Sequence, residues 1–474
     1  MIFTSNIFVF LYLPIFLAVY YCVKDSWRSH VIVLGSYLFY AWWRPDFLLL
    51  FVGITYWNYF LGIKIHRLRD TDPKRAFRWL TVGVIGNLLT LAYFKYANFG
   101  AEVLADALQE FGVNTFTLEN IILPLGISFY VFQALSYIVD IYRKDAEPTR
   151  RFVDFAAFIS MFPQLIAGPI LRYRVMAEQL RERTHSLDLF SLGACRFMLG
   201  FTKKVLIADS LAPINSYYLT ISDPTMAEVW LGSLGSLVQL YFDFSGYSDM
   251  AIGLGMMMGF RFAENFNQPF VCMSLTEFWK RWHLTLSEFL RDYVFIPIAK
   301  TKKVGADTAA FTTMFLSGLW HGASFSFIFF GVYFGFFMLL ERRFNITTKI
   351  DSPYRFGRNL IAVVMVIQAM PLFITGDLGH SIELYAGWFG FNGIGTVDNY
   401  FYATSSMTLA FMILGIIWLV VTGYINRQFY GRDNSRYFMQ HVGGWQAGLL
   451  WFGFGLAVTK LAANSFSPFL YFQF

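Results

Sequence analysis

Between Ala309 and Leu340 the chain runs for 32 residues without an Asp, Glu, Lys or Arg. A helix facing water needs a polar side along its length, so such a run constrains the fold more than any short motif. Apolar runs near the roughly 20 residues that cross a bilayer's hydrocarbon core recur from one end to the other. Charged residues make up only 14% of the chain, where a soluble domain carries about 25%. The expectation is an all-α, polytopic integral membrane protein in which residues 1–474 form one membrane domain, with no room for a soluble domain between spans.

The opening residues MIFTSNIFVFLYLPIFLAVYYCV lack the basic flank and small-residue cleavage site of a signal peptide, and read as a retained first span. Cys22, Cys195 and Cys272 lie in or beside apolar segments without metal-type spacing, so neither a disulfide nor a metal site is expected. The net charge of +6 sits in short loops between spans. Topology accounts for it, and nucleic acid is not an expected partner.

Those loops divide by sign. Segments 64–78, 143–151, 172–183, 300–303, 342–358 and 427–436 are net positive and are placed on the cytoplasmic side, whereas 102–119, 223–228 and 377–398 carry acids without Lys or Arg and are placed outside. Between them, spans are expected near 6–23, 29–43, 45–63, 79–98, 121–142, 189–208, 229–260, 359–376, 403–425 and 441–464. Two more apolar segments have basic loops at both ends. One, 152–171, contains MFPQLIAGP and is expected to be broken and re-entrant. The total is about 10–12 transmembrane or re-entrant helices.

The other is the charge-free run. As one helix its 32 residues measure about 48 Å, against a core of about 30 Å, and two crossings need about 40 residues. A break near Trp320-His321-Gly322 resolves the mismatch. His321 then sits deep in the membrane but enclosed by protein, where burial favours the uncharged imidazole, which can act as a general base. A core histidine bonded to a neighbouring carbonyl is the alternative.

A second histidine lies in SLTEFWKRWHLTLSEFLRDYVFIPI (274–298), which is too charged to span lipid and is expected in the interface or clamped inside the protein. Glu277 and Arg281, four apart, are placed to pair on a helix whose apolar face carries Phe278, Trp282 and Phe289. A purely structural amphipathic helix is the competing reading. Asp243 and Asp249, the only charges between Val229 and Phe260, are expected to face a polar cavity or pair with a base. The many aromatics read as packing and interface anchors.

TEFWKRWHLTLSEFLRDYVFIPI followed by LSGLWHGASFSFIFFG resembles the membrane-bound O-acyltransferase (MBOAT) family. His321 in LWHG matches that family's catalytic histidine, and His283 in FWKRWH matches the upstream histidine of its bacterial branch. SYLFYAWWRPDFLLLF (36–51), YFKYANFG (93–100), LPLGISFYVFQALSYIVDIYR (123–143), FPQLIAGPILR (162–172), GFTKKVLIAD (200–209), LYFDFSGYSDMAIGLGMMMGFRFAENFNQPF (240–270) and the terminal FLYFQF extend the resemblance to the members that serve bacterial alginate O-acetylation. One departure is the turn AKTKKVGADTA (299–309), where relatives carry a Gly- and Asn-rich basic turn.

The resemblance implies helices around a buried catalytic tunnel in the bacterial inner membrane. It implies acetyl-CoA as donor substrate, with no permanently bound cofactor. It also implies membrane lipid, periplasmic polysaccharide acetyltransferase subunits and an exopolysaccharide synthesis and secretion complex as partners. His321 and His283 are the catalytic candidates; Trp320, Lys280, Arg281 and Trp282 are the substrate-binding candidates, with the two cations meeting the phosphates of CoA. D-alanylation of teichoic acid and acetylation of peptidoglycan or cellulose stay open. So do a transporter or flippase, although no second copy of WHG or FWKRWH marks an internal repeat, and a non-catalytic scaffold.

Overall fold

The computed structural model describes residues 1–112, 120–301, 304–346, 354–430, 443–463 and 469; for 424–430 the helix path alone is described. Most of the basic segment 427–436, the tip of the 299–309 turn and all of FLYFQF but Phe469 lie outside the described residues. No strand occurs among the described residues, and the chain divides into two compact units, 1–190 with 254–262, and 191–253 with 263–474.

The first unit begins with α1 (Phe8–Cys22), α2 (Asp25–Ala41), α3 (Asp46–Leu68), α4 (Pro73–Glu110), α5 (Ile127–Arg143) and α6 (Phe152–Ser160). Within it α3, α4 and α5 pack as a bundle. A buried polar pair joins α3 to α4, where the Asn58 and Asn87 side-chain amides exchange hydrogen bonds of 3.0 and 2.8 Å. The chain breaks after α6 at Met161, where ψ reaches 107° and Pro163 opens the next short turn, as the sequence leads one to expect of 152–171. That break is buried in protein throughout 155–171.

Two boundaries differ from the sequence reading. The 102–119 segment begins as helix, because AEVLADALQE holds strong helix formers and no breaker, so α4 runs on to Glu110 and ends before Gly112 at φ +68°. Its 38 residues reach about 57 Å, well past a bilayer core. The span expected from 121 starts only at Ile127. Pro124 and Gly126 (φ +72°) keep the chain irregular there, and a Cβ on Gly126 would stand 2.2 Å from the Leu165 carbonyl oxygen.

The second unit carries most of α7 (Leu187–Thr202) and α8 (Met226–Met257), then α9 (Leu275–Trp279), α10 (Leu284–Leu290), α11 (Ala306–His321), α12 (Phe325–Arg343), α13 (Arg355–Ile374), α14 (Ser406–Tyr430) and α15 (Gly444–Ala463). Six helices among the described residues are long and apolar enough to cross a membrane: α3, α4, α12, α13, α14 within Ser406–Gly423, and α15. The expected spans at α1, α2, α5 and α7 are helical too, but each is shorter than 18 residues.

Candidate active site

The charge-free run folds as a hairpin. Helix α11 ends on His321, Gly322 is fully extended (φ −166°, ψ 163°), and α12 starts after Ser324. Glycines let the two arms touch: a Cβ on Gly318 would lie 2.4 Å from the Phe327 carbonyl oxygen and 2.8 Å from the Gly331 Cα. The break therefore falls where the length argument places it.

His321 is 6% exposed and boxed by aromatic rings. The Phe373 ring meets it edge to face at 5.1 Å, Phe330 at 5.8 Å and Trp320 at 4.9 Å. The imidazole lines a cavity of about 20 Å³ with Trp279, Trp282, Phe330, Met370 and Phe373 among its walls. It is the only ionisable side chain on that wall among the described residues.

His283 also neighbours Trp320, whose ring centroid is 6.0 Å from its own. The competing reading of 274–298 as one amphipathic helix is not what forms. Instead α9 stops, His283 adopts a left-handed conformation (φ 46°, ψ 53°), and α10 starts at the next residue. Partners distant in sequence impose this turn. The Glu341 carboxylate of α12 accepts from the Leu275 and Thr276 amides at 2.5 and 2.9 Å, and from Thr276 Oγ1 at 2.8 Å, placing a negative charge on the N-terminus of α9. Ser274 Oγ accepts from the Glu277 amide in the same first turn. From the opposite side the Asn267 amide donates to the Arg281 carbonyl at 2.8 Å, and the Leu284 amide donates to the Asn265 carbonyl at 2.9 Å. The segment is thus clamped inside the protein.

The remaining substrate candidates part company. Trp282 lines the His321 cavity, and Trp320 neighbours both histidines. Arg281 forms the expected pair with Glu277 (3.0 and 2.9 Å) and also donates to the Asn267 carbonyl. Lys280 is exposed, and neither cation lines the cavity.

Asp243 and Asp249 both find bases. Lys204 Nζ lies 2.7 Å from Asp243 and 2.5 Å from Asp209, while Asp249 receives Arg196 at 2.6 Å and Lys203 at 2.6 Å. Arg196 also reaches Glu264 at 2.6 Å. This second charge network lines a polar cleft together with Tyr241, Ser248, Asn265, Asn267, Gln268 and Trp418. Asn265 is shared, since it lines the cleft and bonds to His283. Sequence reasoning left Asn265 and Glu341 unassigned; the only sign of the former was its place in the polar ENFNQ stretch.

Residues 142–370, which hold both histidines, match the membrane-bound O-acyltransferase family. Over its full length the chain is 44% identical to the whole of the probable alginate O-acetylase AlgI of Azotobacter vinelandii. It is 31% identical to a peptidoglycan O-acetyltransferase of Helicobacter pylori over 83% of this chain and 81% of that one. A teichoic acid D-alanyltransferase of Bacillus subtilis matches at 30% over 50% of this chain and 62% of its own length. With the all-helical fold and its candidate spans, these likenesses make the chain a multi-pass membrane O-acyltransferase that belongs to the membrane-bound O-acyltransferase family.

Proposed function

We propose that the protein takes acetyl groups from cytoplasmic acetyl-CoA and passes them across the bacterial inner membrane for periplasmic O-acetylation of an exopolysaccharide, alginate. Its likeness over the full length to a probable alginate O-acetylase supports the polymer. The observation that carries the chemistry is His321, the one ionisable side chain on the wall of its cavity among the described residues, at the end of a broken helix.

In this reading His321 is the general base. As an acceptor hydroxyl attacks the thioester carbonyl, the new C–O bond forms, the hydroxyl proton passes to the imidazole, and the C–S bond breaks. The proton then neutralises the departing thiolate. An aromatic box around the base excludes water that would otherwise hydrolyse the thioester. His283 serves as a proton relay or orients the thioester. Lys280, free to reach solvent on the surface, and Arg281 meet the phosphates of CoA at the cytoplasmic mouth, while Trp282 and Trp320 shape the acyl site. Acetyl-CoA is a substrate here, not a resident cofactor. Periplasmic acetyltransferase subunits receive the group, in company with the exopolysaccharide synthesis and secretion complex.

The test is purified protein in proteoliposomes with radiolabelled acetyl-CoA and a candidate periplasmic acetyltransferase as acceptor. Label is expected on the acceptor. If acetyl-CoA is never consumed with an active acceptor present, the donor assignment fails, and a D-alanyl-loaded carrier protein in the same assay asks whether the donor is that of the teichoic acid enzymes.

A further inference from the structure

We infer that Asn265 is a positioning residue that holds His283 in the tautomer with hydrogen on Nδ1, leaving the Nε2 lone pair as a proton acceptor. The inference rests on the reading of His283 as part of the catalytic pair and decides between the two roles proposed for it.

The Asn265 carboxamide is buried, and its Oδ1 gathers three donors: Thr285 Oγ1 at 2.9 Å, the Thr285 amide at a longer 3.4 Å, and His283 Nδ1 at 2.9 Å. A backbone N–H can only donate, so the end of the carboxamide that faces Thr285 is its oxygen. At the opposite end Nδ2 donates to Ser248 Oγ at 3.0 Å, a contact that a hydroxyl makes with either end of a carboxamide. An acceptor 2.9 Å from Nδ1 requires a hydrogen there, and a neutral imidazole carries only one. Its Nε2 is therefore unprotonated. That atom is buried and makes no hydrogen bond among the described residues.

No carboxylate bonds to the ring among the described residues, so nothing there favours a standing positive charge on it. A neutral ring in this tautomer has no hydrogen to offer a thioester carbonyl from Nε2. Proton acceptance is the role that remains. The same residue also steadies the backbone: the Asn265 carbonyl takes the Leu284 amide, just after the left-handed turn at His283. Such a conformation persists for a non-glycine residue only where its surroundings over-determine it. Ring and turn are held by one side chain and its own peptide.

The experiment uses the full chain in bilayers with ring-15N histidine. The chain has seven histidines, and His283 is identified by the signal lost in His283→Gln. Wild type is expected to show a protonated Nδ1 and an unprotonated Nε2. Asn265→Ala frees the tautomer and lowers kcat by roughly 10- to 100-fold with KM for the acyl donor unchanged. Asn265→Asp keeps the same acceptor but adds a negative charge that favours the imidazolium. It should preserve the tautomer and move the acid limb of the kcat/KM profile to higher pH. A wild-type ring protonated on Nε2 overturns the inference, as does an Asn265→Asp acid limb that stays in place. If Asn265→Ala does not fold, wild type and Asn265→Asp decide the matter. If the tautomer is as stated but His283→Gln transfers acetyl at the wild-type rate, the tautomer assignment stands and the catalytic reading of His283 falls.

Discussion

The surroundings of the two histidines differ in kind, although one tryptophan touches both. His321 is held by volume: glycines bring two helix arms together, and aromatic rings close around the imidazole. His283 also meets a ring, Phe244 at 4.8 Å, but is held mainly by polarity: Asn265 bonds its imidazole and the following amide, while Glu341 and Asn267 fix the segment around it without a helix running through it. A base that must work in a dry site needs walls, whereas a group that must present one particular nitrogen needs hydrogen bonds. Each histidine has the environment its proposed role requires.

That contrast can be broken from either side. The polar side should be sensitive to charge, and the largest stability loss is expected for Arg196→Met, which takes the guanidinium from Glu264 and leaves Asp249 with Lys203 alone. Breaking a buried ion network from one side costs about 3–5 kcal/mol, so the melting temperature in detergent should fall well below wild type. An unchanged melt would mean the network contributes nothing to the His283 side. The aromatic side should be sensitive to volume. A Cβ at Gly322 would meet the Phe327 ring at 2.1 Å, and Gly322→Ala should cost about 1–3 kcal/mol through overpacking, with acetyl transfer lowered further than stability alone explains. A variant with wild-type melting and transfer would show that the break does not depend on that fit.

Smaller changes sharpen the comparison. Glu341→Gln removes the charge and one of the two acceptor oxygens that clamp α9, turning an NH2 donor onto a backbone N–H, and should cost about 1–3 kcal/mol, with transfer falling. Lys280→Ala should leave stability within about 0.5 kcal/mol and raise the KM for acetyl-CoA while kcat holds. A fall in kcat instead would place Lys280 nearer the chemistry than its exposed position suggests.

The His321 side was legible in the sequence because it rests on local quantities. A charge-free run too long for one span and too short for two, with glycine after histidine, specifies a broken hairpin. The His283 side was not. Glu277 and Arg281 fit a continuous helix, and nothing nearby announces that Glu341 and Asn265 will cap and turn the segment from elsewhere in the chain. The acids of α8 were expected to face a polar cavity or pair with a base, yet Arg196, Lys203 and Lys204 could be named only once α7 and its continuation were packed against that helix. Helix ends suffered in the same way: α4 outran its expected span because propensity continues past the point where hydropathy fades.

The most direct measurement compares donor binding with transfer in His321→Gln, using reconstituted protein, radiolabelled acetyl-CoA and an active periplasmic acceptor. The account predicts that acetyl-CoA binds as in wild type while transfer falls by roughly 10²–10⁴-fold, the usual contribution of a general base. Transfer at the wild-type rate in a folded His321→Gln protein would contradict it, and would remove the histidine at the hairpin tip from the chemistry.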